Sequence, residues 1–300
     1  MTRRSSSFRV RACRLATCLS LAGASTAQAV DLNAQDAVAA PAGVDALLGY
    51  ATYASRSSFV GTDGRKADQP TQLKSAVEIL RYVHYMDLGG VRIAPQVLLP
   101  HAKLYDASLG GASLGEASGM SDPILASPVW LLHSAETHVA VIPYLYLPLG
   151  SYHAGQTLNI GENRWKAVAQ VAWTQQWGGG FMTQLSADVM AYGDNNRAGT
   201  SGNATLRQDP THQLQAWLSY VPASAPSWHL AAGYSQTTGG RQRQDGADTG
   251  QRTEVSQARL ELGKFITPSV QLLLQVQRDT HVRGGFQEDR HATVRLLKLF

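Results

Sequence analysis

The side chains of this chain that could do chemistry fall into two groups. The first holds nine histidines, with Ser219 following His212 on one extended segment. Their offset puts the two side chains on opposite faces and about 23 Å apart by strand rise, so they cannot act as nucleophile and base. His133 and His138 flank a tight turn and do not converge at metal-ligand spacing, and the only cysteines, Cys13 and Cys18, lie near the start. No nucleophile elbow is expected, and no glycine-rich loop leads into Lys-Ser or Lys-Thr. The sequence therefore predicts no catalytic residues, no enzymatic activity, no metal and no cofactor. The second group consists of charged and amide side chains set singly between apolar neighbours: Lys166, Gln184, Asp188, Arg259, Glu261, Gln275 and Arg295. Such residues can line a polar path or brace one another as ion pairs, and for any one of them bracing is the simpler role.

These residues need elements that place them on a common side. In 164–177, Trp165, Ala167, Ala169, Val171 and Trp173 share one parity, and Lys166, Gln170, Thr174 and Gln176 the other. In 180–192, Leu185, Ala187, Val189 and Ala191 alternate with Gln184, Ser186 and Asp188; 269–280 repeats the pattern. A period of two is the strand period. Twelve such segments are predicted at 44–57, 72–86, 91–102, 122–133, 138–149, 164–177, 180–192, 211–221, 228–238, 253–266, 269–280 and 289–300.

Connections between them alternate in length. Those at 58–71, 103–121, 150–163, 193–210, 239–252 and 281–288 are mostly long and rich in Gly, Ser, Asp and Asn; the intervening ones are short, as at Gly178-Gly179 and Thr267-Pro268. That alternation, with aromatics near strand ends (Tyr50, Tyr53, Trp130, Tyr152, Trp165, Trp177, Tyr192, Tyr220 and Trp228), is the pattern of an all-β, transmembrane, up-and-down antiparallel barrel. About twelve strands are expected, between ten and fourteen, with long outer loops and short periplasmic turns. No 18-residue apolar run could form a spanning helix. The terminal strand ends on Phe300 with Leu296, Val294 and Ala292 at alternate positions and Lys298 as an exception. Phe300 is expected to serve as the barrel assembly signal.

Charge sharpens this reading. The chain carries 26 Lys+Arg against 22 Asp+Glu, but five arginines (Arg3, Arg4, Arg9, Arg11, Arg14) and no acid lie in residues 1–29. There an apolar stretch, Leu15 to Ala24, leads to Ala27-Gln-Ala29, the layout of a secretory signal peptide cleaved after Ala29. Without it the chain is near-neutral and free of cysteine, so nucleic acid is not an expected partner. Residues 30–43 are expected to form a short periplasmic segment, and 44–300 a single barrel domain.

Several stretches resemble the MetA-pathway of phenol degradation family of outer-membrane proteins. They are Gly119-Met-Ser-Asp-Pro-Ile-Leu-Ala-Ser-Pro-Val-Trp-Leu-Leu132, Pro143-Tyr-Leu-Tyr-Leu-Pro-Leu-Gly-Ser-Tyr152 and Leu158-Asn-Ile-Gly-Glu-Asn-Arg-Trp-Lys166. Gln208-Asp-Pro-Thr-His-Gln-Leu-Gln-Ala-Trp-Leu-Ser-Tyr220 and Gly239-Gly-Arg-Gln-Arg-Gln-Asp-Gly246 follow. The resemblance implies an outer-membrane barrel of a Gram-negative cell, taking up small hydrophobic or aromatic compounds passively. Its expected partners are that solute, outer-membrane lipids and the barrel-assembly machinery. A structural or adhesion barrel and a barrel-embedded hydrolase are the alternatives. Asp122-Pro123, Gly161–Arg164 and Gln208-Asp-Pro210 are read first as turn geometry, since Asp and Asn bond nearby backbone and Pro fixes φ.

Overall fold

Alternating apolar and polar side chains can satisfy a bilayer outside and a polar interior inside only if every strand edge is paired, which requires closure. The computed structural model describes residues 31–67 and 70–300; the expected leader at 1–29 lies outside the described residues. It shows a closed, twelve-strand antiparallel barrel with no helix among those residues. The strands that fill the twelve positions begin with Asp45–Val60, Gln72–His84 and Gln96–Leu109. The fourth position is shared by Ala112–Met120, Ile124–Ala126 and Val129–His133. It is interrupted at Asp122-Pro123 and Ser127-Pro128, because proline donates nothing to a ladder. Thr137–Tyr146, Lys166–Gly178, Phe181–Tyr192, Thr211–Tyr220, Trp228–Gly239, Thr253–Thr267, Val270–Arg283 and Gly285–Leu299 complete the wall. Closure comes from Asp45–Val60, which pairs with Gln72–His84 on one side and Gly285–Leu299 on the other. All twelve predicted segments fall on these positions, several reaching further into the loops than expected.

The two ends differ as the loop lengths imply. Tight turns close one end; at 178–180, three successive glycines take positive φ, and a Cβ on Gly180 would come within 2.1 Å of the Val221 carbonyl oxygen. At the other end the wall strands run up into longer hairpins. Asn195–Ala198, Ala204–Gln208, Gln242–Gln244 and Ala247–Asp248 form a separate four-stranded sheet there.

Burial is inverted relative to a water-soluble protein. Val171 is 50% and Leu260 61% exposed, whereas Lys166 is 1% and Gln170 0% exposed. A continuous apolar exterior around a polar interior is the stable arrangement only in an apolar solvent. Trp165 and Trp177 lie exposed near strand ends, as girdle residues should. Others of the expected girdle do not: Trp130 is buried and Tyr50 faces inward, its hydroxyl accepting from Arg81 Nη1 at 3.2 Å.

Of the segment 30–43, expected to be a short periplasmic stretch, residues 31–39 fold back into the lumen; Leu32, Asn33, Ala34 and Ala37 are buried there. Only 41–43 are exposed, at the short-turn rim. The physical reason is a set of hydrogen bonds to the inward face of the wall. Leu32 and Ala37 also join an apolar cluster with Leu98, Trp130, Ile142 and Val168.

Candidate functional site

The inward side of the barrel is the candidate site, and strand parity builds it. Lys166, Gln184, Asp188, Arg259, Glu261, Gln275 and Arg295 are all buried on the inner face, 9% exposed or less. They do not form one constellation. Five of them grip the internal segment. Asn33 Nδ2 donates to Glu261 Oε2 and Gln275 Oε1, both at 2.8 Å, and Asn33 Oδ1 accepts from Arg295 Nη1 at 3.2 Å. Gln184 Nε2 donates to the Asn33 carbonyl at 3.0 Å, and its Oε1 accepts from the Ala37 amide at 3.2 Å. Arg259 Nη2 donates to Asp31 Oδ2 at 2.6 Å, and Arg295 Nη1 to Asp36 Oδ1 at 2.7 Å. The other two lie apart: Asp188 accepts from Gln170 Nε2 at 3.2 Å, and Lys166 donates to Glu162 Oε1 at 2.5 Å.

The wall therefore meets the segment from several sides, and sequence reasoning misses much of that set. Trp217 Nε1 donates to the Leu32 carbonyl at 2.9 Å and Trp130 Nε1 to the Ala37 carbonyl at 2.8 Å. Gln213 Nε2 donates to Asp31 Oδ1 at 2.8 Å, and Arg81 Nη1 lies 3.6 Å from Asp36 Oδ2. Parity was an available signal, since Trp217 shares the phase of Gln213, Gln215 and Ser219. Charge was another, because Asp31 and Asp36 complement the arginines of the inner wall. Between segment and wall a cavity of about 50 Å³ remains, touched by Asp31, Tyr50, Thr52, Arg81 and His291. A space of that volume holds a few waters.

The long-loop end is built differently. The loop between Tyr146 and Lys166 dips into the mouth, where Leu158 and Ile160 pack on Leu73, Val77, Leu104 and Phe286. Asp122 pins it, accepting from the Gly150 and Glu162 amides at 3.1 Å each; with partners 28 and 40 residues away it braces a distant loop, which differs from the local turn geometry expected of it. Gly161–Arg164 does more than turn. Glu162 Oε2 accepts from Arg164 Nε at 3.0 Å and Nη2 at 2.5 Å, while Oε1 takes Lys166. Burial works to raise the Glu162 carboxyl, but the Lys166 and Arg164 cations outweigh it and hold it down at about 2. Above this cluster opens a cavity of about 970 Å³, walled by Phe59, Leu109, Leu114 and Leu206 and floored in part by Glu162, Arg164 and Asn195.

Spacings that suggest hydrolysis do not assemble. His212 is exposed on the outer face while Ser219 is buried on the inner one. The run Gly111-Ala-Ser113-Leu-Gly115 does match the bare elbow spacing, contrary to expectation, yet it sits in a strand-to-strand hairpin with no helix behind it. Ser113 Oγ is exposed there and accepts from the Gly115 amide at 3.2 Å. Among the described residues no group of three or more His, Cys, Asp or Glu could hold a metal.

The chain is similar to several proteins of known structure. The COG4313 outer membrane channel from Pseudomonas putida F1 is 31% identical, with 90% of this chain and 100% of that chain covered and a TM-score of 0.85. The β domain of the Bordetella autotransporter BrkA is 10% identical over 85% of this chain and 99% of its own, with a TM-score of 0.49. The toluene transporter TodX of P. putida is 8% identical over 87% and 90%, with a TM-score of 0.45. No curated protein matches the chain significantly. The family model described as MetA-pathway of phenol degradation matches residues 56–296. With a match over most of its length and a whole-length relative that is an outer membrane channel, the chain belongs to the MetA-pathway of phenol degradation family and is one of its outer-membrane β-barrels.

Proposed function

We propose that this barrel is a passive channel for uptake of small hydrophobic or aromatic compounds across the outer membrane. The observation that carries the reading is the apolar-walled cavity of about 970 Å³ at the long-loop end, stacked above a lumen lined by polar side chains. A site of that volume with a few convergent polar groups suits a small organic molecule. In this reading the long loops face outward and the short turns face the periplasm, after a leader cleaved behind Ala29. Residues 31–39 then form a plug on the periplasmic side, and solute passes when they shift. Lys166, Gln184, Asp188, Arg259, Glu261, Gln275 and Arg295 line the path, and Phe300 directs assembly. The P. putida relative is an outer membrane channel, which supports the reading.

The test is the initial uptake rate of labelled phenol, at low micromolar concentration, by cells lacking or expressing the chain. A faster rate on expression is the expected result. Equal rates, with the barrel shown in the outer membrane by heat-modifiable migration, would abandon the channel in favour of a structural or adhesion barrel.

A further inference from the structure

Two arginines stand side by side on the outer wall without a partner. Strands Val270–Arg283 and Gly285–Leu299 present three successive outward pairs, Leu272–Leu296, Leu274–Val294 and Val276–Ala292, and all three are apolar. The next outward positions towards the long-loop end are Arg278 and Arg290, one residue beyond the paired Gln277 and His291. Both are exposed, and among the described residues neither makes a hydrogen bond or an ion pair. Of the acids beside them in sequence, Asp279 and Glu288 are buried inside the barrel. Asp289 accepts from the amide and the hydroxyl of Ser57, at 2.8 and 2.6 Å. Opposed side chains on neighbouring strands have Cβ atoms about 5 Å apart, and like charges so placed repel. A single anion between two such guanidinium groups relieves the repulsion and accepts charge-assisted bonds from both.

Depth identifies their surroundings. Lys298, eight residues from Arg290 on the same strand, donates to Ser269 at the short-turn rim and lies over the Phe300 ring. Eight residues of strand rise about 26 Å, or about 20 Å along the membrane normal at the usual tilt. The two cationic levels therefore bracket an apolar band close to the height of about 25 Å that such barrels carry, which puts Arg278 and Arg290 among the headgroups on the long-loop side. Exposed tyrosines flank them, as at a membrane interface. Tyr234 pairs with Ala258, which pairs with Arg278; Ser55, two residues beyond Tyr53, pairs with Arg290. Directly below Arg278 the outer wall is hollowed into an apolar groove of about 510 Å³, with Leu274 and Val276 at its arginine side. Its floor is Ala232, which pairs with Leu218 on one side and Leu260 on the other, so that a methyl group lies between two exposed leucines.

Paired cations at headgroup level above an apolar groove fit a molecule with a phosphate and an acyl chain. We infer that this face holds one phosphorylated glycolipid of the outer leaflet, its phosphate bridging Arg278 and Arg290 and one acyl chain lying in the groove beside Ala232. A phosphate monoester carries close to two negative charges at neutral pH and matches two arginines, whereas the diester of a common phospholipid carries one. The leaflet follows from the outward placement of the long loops proposed above; the site is otherwise independent of transport.

Native mass spectrometry of the refolded, heat-modifiable barrel in detergent reads the bound lipid directly. Bis-phosphorylated lipid A should give a one-to-one adduct, and dephosphorylated lipid A or phosphatidylglycerol at least fivefold less. Arg278→Gln combined with Arg290→Gln should cut the lipid A adduct at least fivefold. Arg207→Gln combined with Arg241→Gln, which removes the same charge from the long loops, should leave it unchanged. Ala232→Phe, which fills the groove and keeps both arginines, should also cut it at least fivefold. Equal adducts of lipid A and either comparison lipid would overturn the inference, as would equal losses in the two double variants or an adduct that survives Ala232→Phe. Displacement of lipid A by millimolar inorganic phosphate would overturn it too, since the seat would then be one for free phosphate. Lipid A bound in the expected way by a barrel that gives cells no faster phenol uptake would uphold the site and reject the channel reading alone.

Discussion

Glu162 shows how much one buried charge can govern. Its carboxylate is 3% exposed and is the shared partner of Arg164 and Lys166, themselves 4% and 1% exposed. Glu162→Gln should therefore destabilise the barrel by about 3–5 kcal/mol, since it leaves two buried cations uncompensated. Urea unfolding of the refolded protein in micelles measures this; a loss under 1 kcal/mol would contradict it. The pH dependence has a definite sign. A carboxyl held at about 2 when folded, against an ordinary value near 4.5, contributes stability that is fully present above 4.5 and lost as pH falls through 2. Hydrogen exchange across the loop between Tyr146 and Lys166 should stay slow down to about pH 3 and quicken below it. In Glu162→Gln it should be fast throughout.

The internal segment is the element with the most leverage, because residues 31–39 have little regular structure of their own and depend on the wall. Asn33 alone reaches Glu261, Gln275 and Arg295. Asn33→Ala strips a donor from two buried acceptors, at about 1–3 kcal/mol each. The combined Asn33→Ala, Asp36→Ala variant should loosen the segment while the wall ladders remain. Single-channel conductance should rise several-fold; an unchanged conductance would mean that the segment does not limit the pore. This element also marks where sequence reading stops. A strand carries its period on its face, so Lys166, Gln184 and Arg295 could be placed inward from neighbours alone. Asp31-Leu-Asn-Ala-Gln-Asp36 carries no period, and its place depends on partners far along the chain, such as Gln184 at a separation of 151 and Gln215 at 183.

At the scale of the whole molecule, stability depends on which solvent each face meets. Val276 lies on the outer face, 54% exposed, next to Gln277 on the inner face at 8%. Val276→Arg should cost about 2–4 kcal/mol if the residue sits near the bilayer midplane, and less towards either interface. Reversible unfolding in lipid vesicles checks the figure, and a neutral result would argue that this band does not face lipid. The closed ladder also fixes time order. Asn33 is bonded to Glu261 and Arg295, at separations of 228 and 262 residues. A chain made from its N-terminus has none of those partners until its last third exists, and docking a short segment across such distances brings a large loop-closure cost unless the wall is already standing. The barrel must therefore close first, as a hollow and leaky vessel, and stop itself last. In refolding experiments the heat-modifiable band should appear before Trp217, whose indole reports the arrival of Leu32, changes its fluorescence.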